Sequence, residues 1–194
     1  MSNIIIVYDT KYGQTQRIAE YIGDVARAHG HHAEVVRVGA ASAPEGARCV
    51  VVLSPVFAGK HMSTIRRFVM RHHDALNRHA SAFFSVCGAA ESTMPAERGR
   101  AQQLASDFVA RTPWHPQVVA AVGGAMDYPR YNPVLRFVLK FIAKRNGGPT
   151  DTSRRHELTN WKAVERATLE LLTSLDAKEN AFKTPGEAPV GAQL

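Results

Sequence analysis

The sequence predicts a doubly wound α/β fold: a five-stranded parallel sheet in the order 2-1-3-4-5, helices on both faces, and a helical insertion after the fifth strand. Three observations predict it. Short β-rich apolar runs alternate with longer stretches of helical period. The first run, Ile4–Tyr8, is apolar almost throughout, as in strands buried on both faces. Strands alternating with helices imply right-handed crossovers and hence parallel pairing.

The elements follow in order. Ile18, Ile22, Val25 and Ala26 recur at helical spacing behind the first strand, and Gly30 ends that helix. Glu34–Val38 is the second strand and Cys49–Leu53 the third. A helix with Ile65, Phe68 and Val69 inward precedes a fourth strand at Ser81–Cys87. Leu104, Ala105, Phe108 and Val109 mark the next helix, and Val118–Val122 is the fifth strand. The last helix carries Trp161, Val164, Ala167, Leu171 and Leu175 on one face. Residues 1–175 therefore read as one domain, with residues 127–159 inserted. Residues 176–194, rich in Ala, Pro, Gly and Lys without periodicity, read as a mobile tail.

Composition narrows the function classes. The 194 residues, 45% hydrophobic and 21% charged, suit a single stable domain and exclude wholesale disorder. No apolar run approaches the ~18 residues of a spanning helix. The opening MSNIIIVYDT carries no charged leader or cleavage site, so no secretory signal is expected. Cys49 and Cys87 lie in apolar stretches without metal-type spacing, which points to a reducing compartment. The histidines, His29, His31, His32, His72 and His73 among them, fall in turns or adjacent pairs, and no metal site is expected. Net charge is +7 with a pI near 9.7, so the surface should attract something anionic. No stacking motif or groove-reading helix accompanies that charge, which argues against nucleic acid.

The chemistry concentrates after the first strand, at Thr10, Lys11, Tyr12, Gly13, Gln14 and Thr15. In this strand order ligands sit at the carboxyl ends of the strands, between the first and third. A loop that opens a helix there offers free N–H groups and a positive dipole end, which suit a phosphate. Thr10 and Thr15 add hydroxyls, and Gly13 permits close approach. A merely Thr-capped helix is the alternative, and the position favours the phosphate. The dinucleotide fingerprint and the Walker loop are both absent, which favours a mononucleotide.

Ile4–Thr15 resembles the first strand and phosphate loop of flavodoxins, and the chain from about Ile4 to Trp161 resembles the flavodoxin-like, quinone-dependent protoporphyrinogen IX dehydrogenases. The stretches that carry the resemblance are TKYGQTQRIAEYI, SAFFSV, GAMDYPRYNP and GGPTDT followed by Thr159-Asn160-Trp161. It implies FMN as cofactor, protoporphyrinogen IX as substrate, a membrane quinone as acceptor, and residence at the cytoplasmic face of the cell membrane. A flavodoxin-like electron carrier without its own substrate is the alternative, but such carriers usually present an acidic face. A homo-oligomer is compatible with either.

Further site residues follow from position. Ser54, Pro55, Val56, Phe57, Ala58 and Gly59, after the third strand, should cover the flavin ring, with Phe57 either stacking or simply packing. Relatives often carry Tyr where Ala58 stands. His61 reads as a helix-capping or solvated residue rather than a proton-transfer group. Cys87, Gly88, Ala89 and Ala90 should line the pyrimidine and ribityl side, Cys87 as a small strand-end residue. Glu91 departs from the basic residues of relatives, which bears on substrate contacts. Tyr128, Arg130 and Tyr131 offer aromatic faces and a cation to an apolar macrocycle with two propionates, or serve as turn residues. No side-chain base is assigned, flavin N5 being the expected hydride acceptor.

Residues 132–146 read as an amphipathic helix. Val134, Leu135, Phe137, Val138, Phe141 and Ile142 share one arc, while Arg136, Lys140 and Lys144 form a stripe opposite. Such a helix lies on an anionic membrane surface or packs on its own domain.

Overall fold

A computed structural model of the chain describes residues 2–145 and 147–183, the last seven as helix backbone alone. Five strands, β1 (Asn3–Tyr8), β2 (His32–Arg37), β3 (Cys49–Phe57), β5 (Ala80–Val86) and β6 (Val118–Val122), form the central sheet. A two-residue strand, β4 (Lys60–His61), folds back on the end of β3. The order is β2-β1-β3-β5-β6, and every pairing along it is parallel. Counted over the parallel strands alone, this is the expected 2-1-3-4-5.

Alternation along the strands fills two separate cores, as a period of two requires. Ile4, Ile6, Val51, Leu53 and Phe84 point to one face. There they meet α1 (Gln14–Ala28) through Ile18 and Ile22, and α5 (Trp161–Lys183) through Val164 and Leu171. Val7, Val50, Val52 and Phe83 point to the other face. That face is covered by α2 (Ser63–Arg78) through Ile65 and Leu76, and by α3 (Pro95–Ala110) through Ala105 and Phe108. Trp114, fully buried, donates its indole N–H to Ser81 Oγ at 3.0 Å, so no polar group is stranded beneath the ring.

Beyond shifts of a residue or two at strand ends, three features differ from the sequence expectation. The third strand does not stop at Leu53 but runs to Phe57, so Ser54–Phe57 are strand residues rather than a loop. It ends in a two-residue hairpin, Ala58-Gly59, with φ of 48° and 73°. Two successive positive φ values match the right-handed twist of the paired strands, and Gly59 adopts its share at little cost. The inserted segment is not helix alone. β7 (Ala125–Asp127) and β8 (Arg155–Glu157) pair antiparallel and bracket α4 (Pro133–Arg145). Local propensity gives little warning of a three-residue strand whose partner lies some thirty residues away. Finally, α5 continues to Lys183 rather than stopping at Leu175. The rest of the expected tail, 184–194, lies outside the described residues.

Candidate active site

The site is built outward from Asp9, the residue after β1. Asp9 is 3% exposed. Its carboxylate accepts hydrogen bonds from the Thr10 N–H at 2.8 Å, the Thr64 hydroxyl at 2.6 Å and Arg37 Nε at 3.1 Å. These contacts fix where the chain leaves the sheet. The Thr10 hydroxyl then accepts from the Gly13 N–H at 2.9 Å, which closes the loop on itself. Gly13 stands before α1 at φ +92°, in the left-handed region that disfavours a side chain.

This helix start is left open. No side chain caps it, and its first turn holds no acidic residue. The backbone N–H groups of Lys11, Tyr12, Gln14 and Thr15 find no acceptor among the described residues. The Thr15 hydroxyl likewise makes no hydrogen bond there, although Thr15 is 2% exposed. Four amides and a hydroxyl gathered at a positive dipole end have the chemistry of an anion cradle. The Thr-cap alternative is therefore not what is found: Thr10 caps the loop, not the helix.

The crevice beyond the cradle is walled by Pro55, Val56 and Phe57 from β3, by Val86 and Gly88, and by Gly124, Ala125 and Tyr131. Aromatic rings crowd its mouth. Tyr12 meets Phe57 at 5.9 Å and Tyr131 at 4.8 Å between centroids, both edge-on. Lys11 Nζ lies 5.3 Å from the Phe57 centroid and 5.7 Å from that of Tyr12.

A strap closes one side. The Gln14 side chain donates to Glu157 Oε1 at 2.6 Å and Thr159 Oγ1 at 2.7 Å, and accepts from Arg155. Its backbone N–H is therefore what it leaves for an anion. The Thr159 hydroxyl in turn donates toward the carbonyls of Gly123 and Gly124, at 3.0 and 3.2 Å. Gly123 admits no side chain here, since a Cβ would sit 2.1 Å from the Leu158 carbonyl oxygen and 2.6 Å from Glu91 Cγ. Gly123→Ala should thus push the strap off the loop and destabilise the protein by about 1–3 kcal/mol, read as a lower urea midpoint.

The relationships of the chain agree with this geometry. The flavodoxin-domain family profile matches residues 5–153. Protoporphyrinogen IX dehydrogenase [quinone] of Escherichia coli (strain K12) is 34% identical over 163 residues, 82% of this chain and 89% of that protein. The chain belongs to the quinone-dependent protoporphyrinogen IX dehydrogenases of the flavodoxin family. Among solved structures, a flavodoxin from the domain Archaea superposes with TM-score 0.54 at 14% identity, over 90% of this chain and 99% of that one. The rubredoxin oxygen:oxidoreductase of Desulfovibrio gigas gives TM-score 0.58 at 12% identity; 92% of this chain matches 37% of that larger one. Both likenesses concern the fold.

As a flavodoxin domain the protein binds FMN, and the residues present fit it. The unpaired amides of Lys11, Tyr12, Gln14 and Thr15 suit its phosphate, and the apolar wall of Pro55–Phe57 suits a flat ring. Several expected contacts are revised by their surroundings. Ser54 is fully buried, donates to the Pro55 carbonyl and accepts from the Met62 N–H at 3.1 Å; it holds the hairpin and does not face the crevice. Of Cys87, Gly88, Ala89 and Ala90, Gly88 reaches the crevice wall. Burial pushes the Cys87 thiol up, away from a reactive thiolate. Tyr128 is fully buried with its hydroxyl donating to the Pro149 carbonyl at 2.8 Å, so it supports the insertion instead of meeting a substrate. Tyr131 does face the crevice, and its hydroxyl accepts from the Asp127 N–H at 3.1 Å. Arg130 reaches the loop itself, donating to the Tyr12 carbonyl at 3.0 Å.

His61 is neither a helix cap nor a solvated residue. It packs edge-on against Phe83 and tilted against Phe108, centroids 5.2 and 4.8 Å away, with Nε2 2.8 Å from Ser85 Oγ. Burial lowers its pKa to about 4. In the unfolded chain it titrates near 6.5, so between these values the unfolded state holds the extra proton. Stability should therefore fall as pH drops from about 6.5 to about 4, by up to ~3 kcal/mol. Urea unfolding across that window checks this, and His61→Phe should flatten the fall.

Asp9, Arg155, Glu157 and Gly123-Gly124 are the functional residues that sequence reasoning missed. Asp9 had a readable signal, a lone acid directly after an apolar strand; the strap had none beyond its unusual Gly-Gly and Thr-Asn-Trp steps.

Proposed function

We propose that this protein is an FMN-dependent dehydrogenase that oxidises protoporphyrinogen IX to protoporphyrin IX and passes the electrons to a membrane quinone. The observation that carries the reading is the 34% identity to the Escherichia coli enzyme along nearly its whole length. The crevice supports it in kind, because its mouth is aromatic and cationic, as an apolar macrocycle with two propionates requires. The backbone amides of Lys11, Tyr12, Gln14 and Thr15, with the hydroxyls of Thr10 and Thr15, hold the flavin phosphate. Pro55, Val56, Phe57 and Gly88 cover its ring. When bound, FMN supplies two-electron redox chemistry that no side chain here can.

The residues of this chain position and shield rather than transfer protons. Burial lowers the His61 pKa to about 4 and its Nε2 is bonded to Ser85, which makes it a poor proton acceptor, and burial keeps Cys87 as a thiol. Tyr12, Phe57 and Tyr131 narrow the mouth with their edge-on rings.

The acceptor reading draws support from α4. No described helix is long and apolar enough to cross a membrane. Yet α4 leaves Val134, Phe137, Phe141 and Ile142 exposed, at 75, 74, 64 and 46%. The helix does not pack on its domain through this arc. Half-buried Leu135 and Leu139 and buried Ala143 face inward. Arg136 leaves the expected cationic stripe as well: its guanidinium turns inward and donates to the carbonyls of Pro129 and Tyr131, both at 3.2 Å. Lys140 and Lys144 remain exposed beside the apolar arc. An apolar face flanked by lysines suits an anionic bilayer at the inner face of the cell membrane, where the quinone resides.

Anaerobic incubation of the FMN-loaded protein with protoporphyrinogen IX and a soluble quinone tests the function. Porphyrin fluorescence should rise faster than without protein; no increase over that background would leave an electron carrier.

A further inference from the structure

We infer that Lys11 and Lys60 form a carboxylate clamp at the mouth of the crevice and set the preference for a substrate carrying free propionates. The inference rests on the proposed function for the substrate's identity. Four observations carry it. Lys11 Nζ stands over two rings at once, Phe57 and Tyr12. Lys60 is the direct cross-strand partner of Phe57 in the β3–β4 hairpin, so its side chain starts beside the same ring. Both lysines are exposed, and neither makes an ion pair among the described residues. The third cation of the rim, Arg130, is anchored to the Tyr12 carbonyl, which ties its position to that of Lys11.

Cations over a ring face occupy ground that an apolar ligand would otherwise take. Solvated lysines elsewhere on this basic surface need no special account; these two flank the one exposed aromatic ring of the crevice wall. A flat macrocycle whose edge reaches the mouth beside Phe57 would bring its peripheral carboxylates within reach of both ammonium groups. Lysine suits that task, since a flexible point charge tolerates the differing reach of two propionates. Lys11 thereby serves twice, its amide toward the flavin phosphate and its ammonium toward the substrate. Truncating the side chain separates the two roles.

The test is equilibrium binding of protoporphyrin IX and of its dimethyl ester to the FMN-loaded protein in neutral detergent, for wild type, Lys11→Ala/Lys60→Ala and Lys11→Arg/Lys60→Arg. Wild type should favour the diacid by at least about tenfold, a modest share of what charge-assisted hydrogen bonds supply. At saturating FMN the alanine pair should bring the two ligands level, and the arginine pair should keep the preference. An equal preference in wild type and the alanine pair would overturn the clamp. Because binding is read without turnover, the outcome is separable from that of the proposed function. A diacid preference lost in the alanine pair sustains the clamp even in a protein that oxidises nothing, and turnover with no such preference overturns the clamp alone.

Discussion

Replacing Phe137 and Phe141 together by Glu should weaken binding to anionic liposomes by about a hundredfold or more. Both rings project from α4, 74 and 64% exposed, and touch little of their own domain. Burying one such side chain contributes roughly 1.5–3 kcal/mol, so two contribute roughly 3–6 kcal/mol. The lysines add ~1 kcal/mol each near an anionic surface. Lys140→Glu/Lys144→Glu should therefore act more weakly, and its effect should shrink with salt as exposed charges are screened over ~8 Å. Arg136 does not belong in that variant, because its guanidinium holds the Pro129–Tyr131 turn. Liposome sedimentation reads the effect, and turnover with membrane quinone should slow while turnover with a soluble analogue does not. If the double-Glu variant sediments like wild type, or instead dissociates an oligomer, the apolar face is covered by protein and not by lipid.

Gly13→Val should lower FMN affinity by roughly 5- to 150-fold, the equivalent of 1–3 kcal/mol of backbone strain at a left-handed position. The space around Gly13 is open, with no atom within 4 Å of a built Cβ, so the obstacle is φ +92° rather than a clash. A β-branched residue escapes by relaxing that dihedral, which turns the amides of Gln14 and Thr15 away from their common centre. Apo stability should change far less than affinity, since the loop packs against no core cluster. FMN titration alongside urea unfolding of the apo protein reads both; equal losses in the two would mean that Gly13 supports the fold and not the cradle.

Much of this was legible in the chain because the relevant physics is local or periodic. The apolar runs at Ile4–Tyr8 and Cys49–Leu53 gave the buried strands, and the loop between Thr10 and Thr15 was placed by the winding of the sheet. What sequence reasoning missed was set by contacts across the fold. Ser54 has a ligand's chemistry but faces inward, and only the hairpin through Ala58 and Gly59 decides that. Arg136 lies in register with Lys140 and Lys144 on a helical wheel, but its long side chain curls back to carbonyls that precede the helix. The helical pattern of α4 was plain, whereas which arc would face the domain depended on where β7 and β8 set it down.

The measurement that tests the account most directly is single-turnover mixing of FMN-loaded protein with protoporphyrinogen IX under strict anaerobiosis, with no other acceptor present. The account predicts that flavin absorbance bleaches as each flavin takes two electrons from the porphyrinogen, and that added quinone restores the flavin and lets the remaining electrons pass, so that protoporphyrin IX, six electrons above its substrate, appears. A flavin that stays oxidised beside protoporphyrinogen, yet accepts electrons from a flavodoxin reductase, would contradict it.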